Sequence, residues 1–292
     1  MTWEEIIIKI RTQPEYKELV EKSYVDENLI LNIERFKSSE EYSETKKIIT
    51  KFFGHEEKKK ILDIGSGNGI SAVSFALDGN AVTAVEPDKS VTVGNVAIQK
   101  LISHFSLSNL YVIDSFGEKL PLDDNSFDLV YIRQAMHHAN DLKKFICEAS
   151  RVLKKGGLLL TIRDHVIYDE NDKKWFLDSH PLHKFYKGEN AFTFDAYKSA
   201  IQSAGLEIKK VLKHFDSVIN YYPMNEKDLE KLIANRKKMI DESLGRNLPS
   251  FIAKNSIVKK LYSAYIENKL GPPLNEKIIP GRMYSFIAVK QI

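Results

Sequence analysis

From Lys60 onward the chain alternates short, bounded apolar runs with segments of helical period. The runs at Lys60–Ile64, Ala81–Val85, Leu110–Ile113, Phe127–Ile132 and Leu158–Ile162 read as buried strands. Between them, helices are predicted through Leu77, near Val91–Ser103 and near Leu142–Leu153. Strands alternating with helices predict a parallel sheet with right-handed crossovers, which receives ligands at its carboxyl edge. Further on, the period predicts a helix at Phe194–Ala204 stopped by Gly205 and a strand-like Leu206–Phe215. Two helical patterns follow within 225–270, and Arg282–Lys290 alternates like a strand.

Ahead of this core, residues 1–57 read as helices. Ser38 followed by Glu41 has the spacing of a capping box, and Tyr42, Thr45, Ile49 and Phe52 then share a face that packs on the sheet. The polar connector Phe53–Lys60 marks the expected boundary between a helical segment 1–57 and a domain 58–292 carrying a helical insertion at 225–275. Between Asp164 and Ala191 the pattern loosens, over a length that predicts a functional role or disorder.

Composition changes this picture little. A chain of 292 residues can bury a sizeable core. The net charge of +3, with both signs mixed, argues against a nucleic-acid partner. The basic runs Lys58–Lys60 and Arg236–Lys238 have no interleaved aromatics and read as solvated faces. The single cysteine, Cys147, excludes a disulfide framework or a Cys-based metal cluster and is expected to pack as a small buried hydrophobe. The opening is acidic where a secretory signal is basic, and no apolar stretch is long enough to cross a bilayer, so a cytoplasmic protein without membrane contact is expected.

The chemistry concentrates first at Lys60–Ala72, where an apolar run is followed by Asp63 and by glycines at every second position, Gly65, Gly67 and Gly69. Glycine lets a ligand approach bare backbone, and the free N–H groups of the following helix face an anionic group. Glu86 ends the second strand, about twenty residues after the first glycine, where a carboxylate can accept two hydrogen bonds from a ribose diol. The order D-x-G-x-G-x-G differs from the dinucleotide fingerprint G-x-G-x-x-G.

Residues 61–72 resemble the first motif of the class I S-adenosylmethionine-dependent methyltransferases. Ala81–Asp88 resembles their second strand ending in an acid, Ser126–Asp141 their fourth strand and its loop, and Arg151–Asp164 the turn into their fifth. The resemblance spans roughly residues 55–220 and is nearest to the ubiquinone/menaquinone-type small-molecule branch. It implies an α/β, doubly wound, seven-stranded sheet, mostly parallel, whose antiparallel last strand is Arg282–Lys290. It also implies that the N-terminal helices form a lid, with Tyr16, Tyr24 and Arg35 as candidate lid residues. Cofactor contacts are implied at Asp63, facing the cationic amino end, and at Gly65, Ser66, Gly67, Glu86 and Pro87. Asp114 and Ser115 would meet the adenine, and the Arg133 backbone the methionine part. The Arg133 side chain is expected to point to substrate or solvent, because a guanidinium beside a sulfonium is repulsive.

His137 and His138 follow the fourth strand, where the methyl group should project. Methyl transfer needs mainly alignment, and a base only when the acceptor must lose a proton; histidine suits that role. Asp164 and His165 follow the fifth strand, and these four residues are the candidate catalytic set. His180 and His183, with Asp164 or Glu189, also offer metal ligands, but H-x-x-H spacing is weak and no metal is expected. The resulting expectation is methyl transfer from S-adenosylmethionine, with S-adenosylhomocysteine as product, to a small polar acceptor. Oxygen is favoured over nitrogen or carbon, and a sugar or sugar-linked intermediate fits the polar residues. The acceptor should enter between the lid, the Asp164–Ala191 stretch and the 225–270 insertion. The rivals are a nicotinamide-dependent oxidoreductase, which the glycine order and Gly156-Gly157 disfavour, and a non-catalytic cofactor-binding partner subunit.

Overall fold

The computed structural model describes residues 2–54, 58–186, 188–247, 256–270 and 274–291. Helices α1 (Trp3–Arg11), α2 (Lys17–Lys22), α3 (Leu29–Lys37) and α4 (Glu40–Phe53) precede β1 (Lys60–Ile64). The core continues through α5 (Ile70–Leu77), β2 (Ala81–Val85), α6 (Asn95–Phe105), β3 (Leu110–Ile113), β4 (Phe127–Arg133), α7 (Leu142–Val152) and β5 (Leu153–Ile167). Then come α8 (Glu170–Ser179), α9 (His183–Tyr186), β6 (Phe192–Thr193), α10 (Phe194–Ser203), β7 (Leu206–Leu212) and α11 (Val218–Tyr221). The helices α12 (Glu226–Asn247) and α13 (Ser256–Leu270) and the strand β8 (Met283–Lys290) complete the order. Residues 1–220 with 280–292 form one compact unit and residues 221–279 another. In the second, Ile240 and Ile266 are buried together with Tyr262 packed on them. Residues 55–57 of the expected connector, and 248–255 and 271–273 of the expected insertion, lie outside the described residues.

The sheet runs β3-β2-β1-β4-β5-β8-β7, with the two-residue β6 added beside β5. Strands β1 to β5 pair in parallel, and β8 is antiparallel to both β5 and β7, as expected for the last strand. The central strands are apolar because helices cover both faces. Leu62, Ile64, Val130, Ile132 and Leu159 are buried in the main core. Helix α7 contributes Leu142, Phe145, Ile146, Ala149 and Val152 to it. Cys147 lies one position off that stripe and is exposed, which corrects the expectation that it is buried.

Two local expectations are also corrected. The cap of α4 is Ser39, whose Oγ accepts from the Tyr42 N–H at 3.1 Å, while Ser38 closes α3 by donating to the Glu34 carbonyl at 2.8 Å. Glu41 is therefore not part of a capping box and is free to turn inward. The stretch after Asp164 is largely helical, since α8 and α9 both fall within it. Helix α8 starts at Asp169, whose carboxylate accepts from the Asp172 N–H at 2.9 Å.

Candidate active site

The chain leaves β1 through a turn that requires glycine. Gly65 has φ +72°, and a Cβ there would stand 2.5 Å from the Ala135 Cβ beyond β4. The Gly65 and Ser66 N–H groups donate to the Val85 carbonyl at 2.9 and 3.1 Å, which ties this loop to the end of β2. Glu86, next in the chain, closes over it: its Oε2 accepts from the Gly67 N–H at 2.6 Å and its Oε1 from the Asp88 N–H at 2.9 Å. Burial outweighs these bonds and pushes the Glu86 carboxyl up to about 7.

Asp63 is fully buried at the same end. Its Oδ2 accepts from the Ser71 hydroxyl at 2.7 Å, and its Oδ1 has no hydrogen-bond partner among the described residues. Burial pushes this carboxyl up to about 6. A buried carboxylate oxygen left unpaired is costly, and a cationic ligand group nearby would remove that cost. A carboxylate at the end of β2 and a buried anion with one unpaired oxygen fit the sugar and amino acid parts of S-adenosylmethionine.

Arg133 ends β4, but its side chain departs from the expected direction. Its Nε and Nη2 donate to the Glu41 carboxylate at 2.6 and 3.0 Å, and the guanidinium lies 5.6 Å from the ring centres of both Tyr24 and Phe36. Arg163 Nη1 stands 3.9 Å from the same carboxylate. Burial opposes these charges, yet their attraction holds Glu41 below the usual carboxylate range and Arg133 above its own. The charge is thus neutralised against α4 instead of reaching substrate or solvent.

The opposite end is assembled by two backbone irregularities. After β4, a 3-10 turn at Met136–His138 presents the paired histidines. In β5 the pairing with β8 shifts between Thr161 and Asp164, and Arg163 sits in the bulge at φ +62° with its N–H donating to the Ser285 hydroxyl at 3.0 Å. A bulge of this kind re-aims side chains. Here Asp164 Oδ1 accepts from both the N–H and the Nδ1 of His137, at 3.2 and 3.0 Å. His165 Nδ1 meets the Gly281 carbonyl at 2.6 Å. The strand therefore runs on through Ile167, past the expected end at Ile162, and carries both candidate residues itself.

Glu189, in the connector before β6, completes the group: its Oε2 is 3.7 Å from His137 Nε2 and 4.0 Å from His138 Nε2, and its Oε1 is 3.9 Å from His180 Nε2. Burial opposes charge on His137, but Asp164 and then Glu189 raise it to about 9. Burial likewise opposes charge on Glu189, and the His137 hydrogen bond with the neighbouring imidazoles still holds it well below the usual range. His165 is kept neutral by burial and by the charge on His137.

One cavity of about 490 Å³ joins the two ends. Gly65, Ser66, Gly67, Glu86, Pro87, Ser115, Arg133, His137, His138 and His165 all line it. Asp63 and Asp164 lie buried behind that wall. Asp114 does not join them; its carboxylate pairs with Lys89 at 3.0 Å and is half exposed. Nor do the three aromatic and basic positions picked in the N-terminal helices. Tyr16 packs edge-on against Phe185, Tyr24 is buried beside Phe36, and Arg35 pairs with Asp26 at 3.3 Å. The N-terminal contribution is instead an apolar roof of Trp3, Ile7, Ile10, Leu19 and Val25. It is pinned to the glycine loop by Asn68 Nδ2, which donates to the Tyr24 carbonyl at 2.6 Å. The apolar run of α1 was the available signal for this roof. Glu41 and Asn68 carried none, because their roles depend on partners far along the chain.

Residues 62–161 match a family model described as a methyltransferase domain. Among curated proteins, an uncharacterized methyltransferase, YcgJ of Bacillus subtilis, is 33% identical over 106 residues, covering 36% of this chain and 40% of that protein. The ubiquinone/menaquinone biosynthesis C-methyltransferase UbiE of Idiomarina loihiensis is 32% identical over 107 residues, covering 35% and 41%. The chain thus spans about two-fifths of the length of these curated relatives. Among solved structures, a Haemonchus contortus phosphoethanolamine N-methyltransferase with S-adenosylhomocysteine bound superposes with a TM-score of 0.54 at 19% identity, covering 95% of this chain and 60% of that one. Residues 62–161 thus carry a methyltransferase domain, and this strand order and these motif residues support a class I S-adenosylmethionine-dependent methyltransferase.

Proposed function

We propose that the protein transfers a methyl group from S-adenosylmethionine to a small amphipathic molecule, on an oxygen atom. The observation that carries this reading is the continuity of one cavity from Glu86 and the glycine loop to the histidine cluster. A volume of about 490 Å³ lies within the usual range of small-molecule sites.

Bound S-adenosylmethionine supplies an electrophilic methyl group, whose S–C bond breaks with the electron pair kept on sulfur as the acceptor oxygen bonds to carbon. Glu86 accepts from the ribose hydroxyls, and Asp63 Oδ1 compensates the cationic amino end. The Arg133 guanidinium is held off against Glu41, which removes a repulsive charge from the site. His137, His165 and Glu189 hold the polar head of the acceptor, and the apolar roof covers its remainder. This roof favours an amphipathic acceptor over a free sugar. His138 Nδ1 meets the Gly188 carbonyl at 3.3 Å, which fixes the proton there and leaves Nε2 to take the hydroxyl proton. His138 is half exposed and passes that proton to solvent.

A second reading, carbon methylation, draws on the curated relative UbiE, a C-methyltransferase by name. Incubation of the full chain with methyl-labelled donor and a panel of phenols, enols, aliphatic alcohols and sugars separates the readings. Label in an ether of an amphipathic hydroxyl compound is the expected result. Label on ring carbon supports the second reading, and thermal stabilisation by NAD but not by S-adenosylmethionine or S-adenosylhomocysteine would sink both.

A further inference from the structure

We propose that His137, His165 and Glu189 form a binding site for one divalent first-row metal ion at the acceptor end of the cavity. Their ligand atoms lie within 4.8 Å of one another, although they come from the turn after β4, from β5 and from the connector before β6. The ligands of a single tetrahedral ion stand roughly 3.3 Å apart. His137 Nε2 and Glu189 Oε2, at 3.7 Å, are nearly at that spacing, and small side-chain rotations close the rest.

The imidazoles are also oriented for the task. The Gly281 carbonyl can only accept, so His165 Nδ1 carries the hydrogen and its Nε2 presents a lone pair. Asp164 does the same for His137 Nδ1, leaving Nε2 toward Glu189. A metal-bound histidine almost always has its second nitrogen held this way by a carbonyl or a carboxylate. Asp164 is itself fully buried, and its Oδ1 is fixed by both the N–H and the Nδ1 of His137. His180 Nε2, 3.9 Å from Glu189 Oε1, steadies the carboxylate or supplies a fourth ligand.

Two imidazoles and one carboxylate suit Zn²⁺, Co²⁺, Fe²⁺ or Mn²⁺ better than Mg²⁺ or Ca²⁺, which prefer oxygen donors. An ion here takes the place of the proton between His137 and Glu189. The site itself stands on this geometry alone; its use in methyl transfer rests on the proposed function. An acceptor hydroxyl bound to the ion would lose its proton more readily, and His138 Nε2 would receive it.

The test is titration of the full chain, stripped with chelator, with Co²⁺ followed by its visible absorption, together with metal analysis after equilibration with Zn²⁺. One equivalent per chain with a tetrahedral or five-coordinate Co²⁺ spectrum is expected. His165→Gln and Glu189→Gln should each lose the signal while keeping the wild-type thermal unfolding, and His183→Ala should retain it. No binding by the wild-type chain would overturn the proposal. So would an unchanged spectrum in folded His165→Gln and Glu189→Gln, which would mean adventitious ions. Binding with no methyl transfer to any hydroxyl compound would leave the site standing and remove only the function assigned to it.

Discussion

Gly65, Gly67 and Glu86, with Asp63 behind them, make one end of the cavity from the ends of β1 and β2 and hold it largely through backbone N–H groups, whereas His137, His165 and Glu189 make the other from three distant segments and line it with side chains. The first end is fixed by how a strand turns into a helix. It can change only if the turn changes, which suits a ligand common to a whole family. The second end can be re-tuned by single substitutions without disturbing the sheet, which suits an acceptor particular to one protein. Between them stands Arg133, whose charge is answered from neither end but from α4.

That middle position gives the largest expected effect. Glu41→Gln leaves a guanidinium buried without its counter-charge and should cost about 3–5 kcal/mol in chemical denaturation. Cofactor and metal binding should fall together; a loss under about 1 kcal/mol would mean that Arg133 finds another partner. Next comes Glu86→Ala, which on the proposed binding mode removes two charge-assisted hydrogen bonds to the ribose and should weaken S-adenosylmethionine roughly hundredfold by calorimetry. The Co²⁺ spectrum should stay as it was, and a change in it would break the separation between the ends.

Asp164→Asn should give the reverse pattern. Metal affinity falls about ten- to a hundredfold, as for lost outer-shell partners, with S-adenosylmethionine affinity retained. Equal losses of both ligands would show the two ends to be one coupled unit. A smaller effect comes from pH. Burial pushes the free Glu86 carboxyl up to about 7, and in the proposed role it must be ionised to accept from the diol. Below that pH binding has to expel a proton, so affinity should drop about tenfold for each further pH unit. In the free protein the sign is opposite: the raised value favours folding at low pH, and that contribution is lost as pH rises from about 4.5 to about 7. Glu86→Gln should flatten the binding profile. Last, Cys147→Ser lies outside both ends and should shift stability by less than about 0.5 kcal/mol, with every ligand unaffected.

The glycine-loop end of the cavity was legible from the sequence because its residues follow one local strand–turn–helix pattern. The apolar run, the glycines at every second position and the acid closing β2 form one local pattern with one physical purpose. The strands were legible for the same reason, since burial on both faces writes itself as continuous apolar runs. The place of Asp164 and His165 beyond the fifth strand was legible, but not the bulge that aims them, because Arg163 at φ +62° is held by Ser285 more than a hundred positions away. Arg133 was expected to turn from the sulfonium toward substrate or solvent; it turns instead to Glu41, a residue whose spacing had suggested a helix cap. Spacing singled out His180 and His183; His180 does reach Glu189, at 3.9 Å, but the tightest grouping is Glu189 with His137 and His165, which lie far apart in the chain.

The ion pair between Glu41 and Arg133 also bears on where this protein may be cut. A fragment confined to the matched stretch, residues 62–161, would keep the guanidinium and discard its counter-charge. It would also discard β8, which flanks the central strand β5, and with it the side chains that cover that edge. The boundary of similarity is therefore narrower than the smallest piece able to fold. A minimal expressible form has to start before α4 and keep the final strand.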